Sequence, residues 1–185
     1  RFMGSRFGNV LHYALENTDF AAWAAWQPGQ PAPGEQASVL RRSLREEGYA
    51  EGDLDEGEAV LTALVGPTLT VVLPEGGALC SVPESQRRAE IEFHFAMQPT
   101  AVPGLLQLLH RFGIVPTRRG FGVRRQLEGL MTGKIDLTYT RDGRWYVLDY
   151  KSNRLPGYTP ELLRVAMRHS EYDLQALIYT LALHR

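Results

Sequence analysis

The sequence is poor in cysteine: Cys80 is the only one in 185 residues. That excludes an internal disulfide and fits a reducing compartment. It also excludes an iron–sulfur cluster, which takes about four cysteine ligands. No apolar run reaches 18 residues, so no segment is expected to span a membrane as a helix, and no membrane partner is expected. The start of the chain lacks the apolar stretch of a signal peptide, because its first helix carries Asn9, Glu16 and Asp19. There is no internal repeat and no low-complexity tract. A basic excess is missing too, since the net charge is −1. At 44% hydrophobic the chain is long enough for one sizeable core and suggests a single domain, 1–185.

The distribution of charge says more than its total. From Gly34 to Val60 eight acidic residues stand against three arginines; from Arg111 to Trp145 eight basic residues stand against three acidic ones. The basic block includes Arg118-Arg-Gly-Phe-Gly-Val-Arg-Arg125, which reads as a mobile loop able to follow a phosphate backbone and stack on a base, or as a solvated loop. It runs directly into the most informative stretch, Gly133 to Asn153. There two segments rich in β-branched and aromatic residues flank Arg141-Asp142-Gly143-Arg144, and Asp-Gly is a strong hairpin signal. Side chains alternate along a strand, so Asp149 and Lys151 share a face and Tyr150 points to the other. A hairpin closing at Asp142-Gly143 brings Asp136 near Asp149.

Two carboxylates beside the apolar run Trp145-Tyr-Val-Leu148 are costly to bury, and one lysine compensates only half their charge. A hard divalent cation, Mg²⁺ before Mn²⁺ or Ca²⁺, would complete the balance. Asp…Asp-x-Lys suits phosphodiester hydrolysis, with the metal stabilising charge at the leaving oxygen and Lys151 orienting or helping to deprotonate water. The same pattern also fits a solvated strand with a surface ion pair.

Three stretches resemble a known family. Gly133-Lys-Ile-Asp-Leu137, Trp145-Tyr-Val-Leu-Asp-Tyr-Lys-Ser-Asn153 and Tyr172-Asp-Leu-Gln-Ala-Leu-Ile-Tyr179 with the residues to Arg185 are similar to the C-terminal nuclease domains of the RecB family, in the PD-(D/E)xK nuclease superfamily. The likeness reappears at Gly8-Asn-Val-Leu-His-Tyr-Ala-Leu-Glu16 and is faint from about 27 to 88. It implies Asp136 and Asp149 as carboxylate ligands, the backbone carbonyl of Tyr150 and His12 as further ligands, and Lys151 as the catalytic lysine. It implies that Tyr172, Gln175 and Tyr179, one stripe on the last helix, lie beside the DNA path and position a strand. Glu90 and Glu92 can each stand for the acidic residue at the edge of the family site. Without the resemblance, His12 with Glu16 reads as an ordinary surface pair on a helix.

By resemblance the expected activity is a Mg²⁺-dependent DNA exonuclease or endonuclease, acting on unwound, chiefly single-stranded DNA in break repair and recombination. Helicase domains of a larger chain, the other subunits of a RecBCD-like complex and the bacterial cytoplasm belong to that expectation. The alternative is a module that loads the strand-exchange recombinase, presenting the acidic face around Glu46–Glu58. The chain opens at Arg1 and ends within an apparent helix at Leu183-His-Arg185, which suggests a domain excised from a larger protein.

The expected fold is α/β: a small mixed sheet flanked by helices, restriction-endonuclease-like, with a helical part at 1–70 and a catalytic core at 88–185. Helices are expected over Gly8–Trp26, Ala37–Tyr49, Glu56–Leu64 (ending near Gly66-Pro67), Pro103–Phe112, from Thr159-Pro160 to His169, and from Tyr172. His110 is expected at a solvated helix end. Arg88–Phe95 alternates as a strand, with Glu90, Glu92 and an exposed His94 on one face.

Overall fold

The computed structural model describes residues 1–184; Arg185, at the end of the last expected helix, lies outside the described residues. The backbone divides into two compact units, one made of Arg1–Glu90 with Asp136–Asn153, the other of Ile91–Ile135 with Arg154–Arg185. The hairpin thus belongs with the N-terminal helices, whereas the sequence pattern divides the chain between 70 and 88.

In the first unit, α1 (Gly4–Asn17) buries Phe7, Val10, Leu11, Ala14 and Leu15. Helical spacing puts those positions on one stripe. The helix stops at Asn17, short of the expected Trp26, because side chains compete for its end. The Thr18 hydroxyl donates to Gln36 Oε1 (2.7 Å) and accepts from Trp23 Nε1 (2.8 Å). The Asp19 N–H also reaches Gln36 Oε1 (2.9 Å), and the Asp19 carboxylate caps a short 3-10 turn, Phe20–Trp23. This buried network is satisfied at each of those contacts, which fixes the corner before the Pro28–Gly34 loop.

Next come α2 (Gln36–Glu46) and α3 (Leu54–Thr70). The sequence suggested that α3 would end near Pro67, yet it runs through that residue to Thr70. Packing outweighs the lost backbone donor: Leu61, Val65 and Leu69 are wholly buried on its inner face. Gly66 is bare for a reason, since a Cβ there would lie 2.5 Å from the Trp26 ring.

The sheet has three strands in the order β1 (Arg87–Ala101), β2 (Gln126–Arg141), β3 (Arg144–Leu148). It is antiparallel rather than mixed. β2 and β3 pair with Leu137 opposite Leu148 and Arg141 opposite Arg144, around a two-residue loop. Asp142 and Gly143 both have positive φ (51° and 71°), as a type I′ turn requires. Leu137, Tyr139 and Tyr150 enter the same core as α1 and α3. Tyr139 stacks on its neighbour Tyr146 (5.2 Å between centroids) and donates its hydroxyl to Glu75.

In the second unit, the remaining parts of β1 and β2 accompany α4 (Val102–Arg111), α5 (Pro160–His169) and α6 (Tyr172–His184). Thr159 caps α5 through the Leu162 N–H with Pro160 at the first turn, as expected. Buried side chains are few: Val102, Leu106, Leu109, Val115, Ile135 and Tyr179. His110 departs from expectation, because its Nε2 is buried and has no hydrogen-bond partner among the described residues.

Candidate functional site

The hairpin register decides where the chemistry lies. The last ladder pair is Leu137 with Leu148, so Asp136 and Asp149 are the next residues along the chain on either side of it. Asp136 is buried, and its Oδ2 accepts the backbone N–H of Tyr150 at 2.8 Å. The Asp149 carboxylate forms an ion pair with Lys151, two residues on and on the same side of the chain. Between them the Tyr150 ring turns into the core. Its phenol is buried without a hydrogen-bond partner among the described residues, and burial, then the charge of Asp136, pushes its pKa well above the ordinary value.

His12 reaches this hairpin from α1. Its Nδ1 lies 3.5 Å from Asp136 Oδ2, and its ring meets Tyr150 edge-on at 6.1 Å. Gly8, one turn earlier on the same face, explains the approach: a Cβ there would lie 3.2 Å from Ser152 Oγ. The helix therefore packs close to the segment after β3, at the level where Asp-Tyr-Lys-Ser begins. Nothing in the sequence marks Gly8 for this role. The imidazole pKa is raised, first by the hydrogen bond to Asp136 against the opposing effect of burial, then by the charges of Asp136, Asp149 and Glu90.

Glu90, not Glu92, completes the cluster. Ligand-capable atoms of His12, Glu90 and Asp136 all lie within 4.8 Å of one another. Strict alternation would have put Glu90 and Glu92 on one face. Glu90 instead adopts φ 54°, a left-handed conformation uncommon for a non-glycine residue. It is half-buried while Glu92 and His94 are exposed. One nitrogen and carboxylate oxygens at this separation suit a divalent cation that accepts oxygen and imidazole ligands. The excess of carboxylate charge, with Asp136 and Asp149 both next to the last ladder pair, favours a cation there over an empty, buried anionic cluster.

The remaining expected site residues lie in the second unit, on α6. Gln175 donates through Nε2 to the Tyr179 hydroxyl (2.7 Å), and both line a groove with Phe93. Tyr172 begins the helix and is half-buried. Glu16, on α1, is exposed. The arginine loop is less free than its composition suggested: Arg118 is bound in an ion pair with Glu171, whereas Arg119, Arg124 and Arg125 are exposed. On the acidic helices, Arg41 holds Asp55 and Glu58, Arg45 holds Glu51, and Arg1 holds Asp53 and Glu56.

Across residues 3–185 the sequence matches the profile of the PD-(D/E)XK nuclease superfamily, and the chain belongs to that superfamily. Within it the chain is a nuclease domain related to RecB. It is 33% identical over 98% of its length to the RecBCD enzyme subunit RecB of Escherichia coli K12, covering 15% of that protein. The RecB of Haemophilus influenzae is 50% identical over 32% of the chain, or 5% of the relative. That of Mycolicibacterium smegmatis is 24% identical over 98% of the chain, or 18% of the relative. The chain therefore spans less than a fifth of the length of these relatives. No helix among the described residues is long and apolar enough to cross a membrane.

Proposed function

We propose that this domain is a divalent-metal-dependent deoxyribonuclease that hydrolyses phosphodiester bonds of unwound, chiefly single-stranded DNA. The observation that carries the reading is the meeting of His12, Glu90 and Asp136 at one point, with the Asp149–Lys151 pair on the facing segment. His12, Glu90, Asp136 and Asp149 would hold the metal, with Mg²⁺ the physiological ion and Mn²⁺ or Ca²⁺ as other occupants; the Tyr150 carbonyl is a further donor. When bound, the ion supplies Lewis-acid stabilisation of charge on the leaving oxygen.

The protein's own residues do the rest. The Tyr150 N–H fixes the orientation of the Asp136 carboxylate, and Gly8 keeps α1 close enough for His12 to reach it. Lys151, held beside Asp149, orients the attacking water and takes part in its deprotonation. Gln175 and Tyr172 position the strand, and Tyr179 steadies Gln175. The RecB relatives are subunits of a named complex. By that relationship the wider setting is a bacterial cytoplasmic helicase–nuclease, with helicase domains and partner subunits delivering the strand during recombination and repair. The alternative role, loading a strand-exchange recombinase, would use the acidic face around Glu46–Glu58, where five carboxylates are paired with arginines.

The test is degradation of an end-labelled single-stranded oligonucleotide with Mg²⁺, with EDTA, and by Asp149→Ala and Lys151→Ala proteins. Chelation and Asp149→Ala should abolish cleavage. Lys151→Ala should slow it roughly 10²- to 10⁴-fold, the range for loss of an acid–base group. Undiminished cleavage in excess chelator would overturn the reading.

A further inference from the structure

We propose that the groove beside Gln175 in the second unit takes one nucleobase of a single strand, and that the loop at 118–125 holds the neighbouring phosphates. The inference rests on the nuclease reading only for the class of ligand. The groove has a volume of about 450 Å³, enough for a nucleotide, and Phe93, Tyr179, Gln175 and Glu171 are among its walls. Its aromatic wall is built into the backbone: a Cβ at Gly133 would lie 2.4 Å from Phe93 Cζ, so the ring rests directly on β2. Tyr179 meets that ring edge-on at 5.9 Å, and Gln175 is held on the Tyr179 hydroxyl. Aromatic surface suits the π-face of any base, and an amide suits its polar edge.

One wall is anionic, which a nucleic acid would avoid. Arg118 removes the objection. Its Nε contacts both oxygens of Glu171 (2.9 and 3.0 Å), so the carboxylate is neutralised at the rim. The same guanidinium donates to the Gly120 carbonyl (3.1 Å) and lies 4.6 Å from the Phe121 ring centroid, so the loop is fastened to the groove. A second fastening precedes it, where the Val115 N–H donates to Asp173 Oδ2 at 2.8 Å. Val115 (φ 41°) and Glu171 (φ 53°) both hold left-handed backbone at these two anchor points. Strain of that kind persists where surrounding contacts over-determine it. Anchored in this way, the loop displays Arg119, Arg124 and Arg125 to solvent. Exposed arginines on a loop tied through Arg118 to the rim of an aromatic groove match a polyanion with stacking bases better than they match a peptide or a free nucleotide.

The test reads binding, not cleavage. Labelled dT oligonucleotides and an abasic oligonucleotide of equal length are titrated against the protein in EDTA and followed by fluorescence anisotropy. Phe93→Leu should weaken binding of the dT strand roughly 5- to 100-fold, as for loss of one stacked base. It should leave the abasic strand unaffected, and Phe93→Trp should restore the difference. Arg124→Ala with Arg125→Ala should make the dependence of log K on log salt shallower by about 1.4 for two lost single-strand contacts. The exposed arginines keep the test valid if Phe93→Leu does not fold, as judged by circular dichroism. Equal losses on both strands, no loss on either, or an unchanged salt slope would overturn the inference. Loss of the groove inference with Mg²⁺-dependent cleavage intact leaves the nuclease reading standing. Wild-type cleavage by Asp136→Asn, with the groove effects present, does the reverse.

Discussion

In the first unit Trp23, Leu40, Leu44, Leu61, Val65 and Leu69 are wholly removed from solvent, whereas in the second α5 buries no residue and α6 buries only Tyr179. The contrast continues on the surface, where Val165 and Met167 of α5 and Val123 of the arginine loop are exposed. Apolar burial stabilises by about 25 cal/mol per Å², so local stability should follow this difference. The candidate metal cluster, which needs donor atoms held to fractions of an ångström, lies wholly in the dense unit. The proposed strand-handling groove lies in the sparse one, where an irregular, flexible polymer is better accommodated.

The comparison can be broken most directly at Trp23. Trp23→Ala removes a fully buried indole and the donor to Thr18, and should cost about 3–5 kcal/mol in urea unfolding. A loss under about 1 kcal/mol would mean that the first core is looser than its burial implies. Gly66→Ala sets two effects against each other. Alanine gains about 1 kcal/mol of helix propensity, but overpacking against Trp26 costs about 1–3 kcal/mol. A net loss of about 1 kcal/mol is expected because the indole is tethered through its N–H to the Gln30 carbonyl; a stabilised variant would show that the ring shifts into the groove it lines. The smallest effect sharpens the other side of the contrast. Val165→Ser should change stability by no more than about 0.5 kcal/mol, with α5 amides exchanging hydrogen faster than those of α3.

What could be read in the sequence was local. Asp142-Gly143 specified its turn, Thr159-Pro160 its cap, and the hairpin register, with Leu137 opposite Leu148, follows because strand period and loop length leave little choice. The features that escaped depend on partners far along the chain. Nothing between Asn17 and Trp26 announces that Gln36 will end the helix, and Pro67 masks a helix sustained by burial of Leu69. At the site, His12 was legible only through resemblance, since a histidine on a helix has no signal of its own. Glu90 and Glu92 were indistinguishable because alternation assumes ordinary backbone, and the choice between them turns on one unusual φ.

That torsion at Glu90 carries an evolutionary consequence. A left-handed residue with a side chain is disfavoured by roughly 1–2 kcal/mol, whereas glycine occupies the region readily. Glycine at 90 would therefore make the fold easier to form while deleting a carboxylate from the cluster. Selection for backbone ease alone would drift toward that replacement, and the contacts of the Glu90 carboxylate together with its place in the cluster oppose it. Position 90 is thus a place where breeding for robustness and breeding for catalysis pull the same codon in opposite directions.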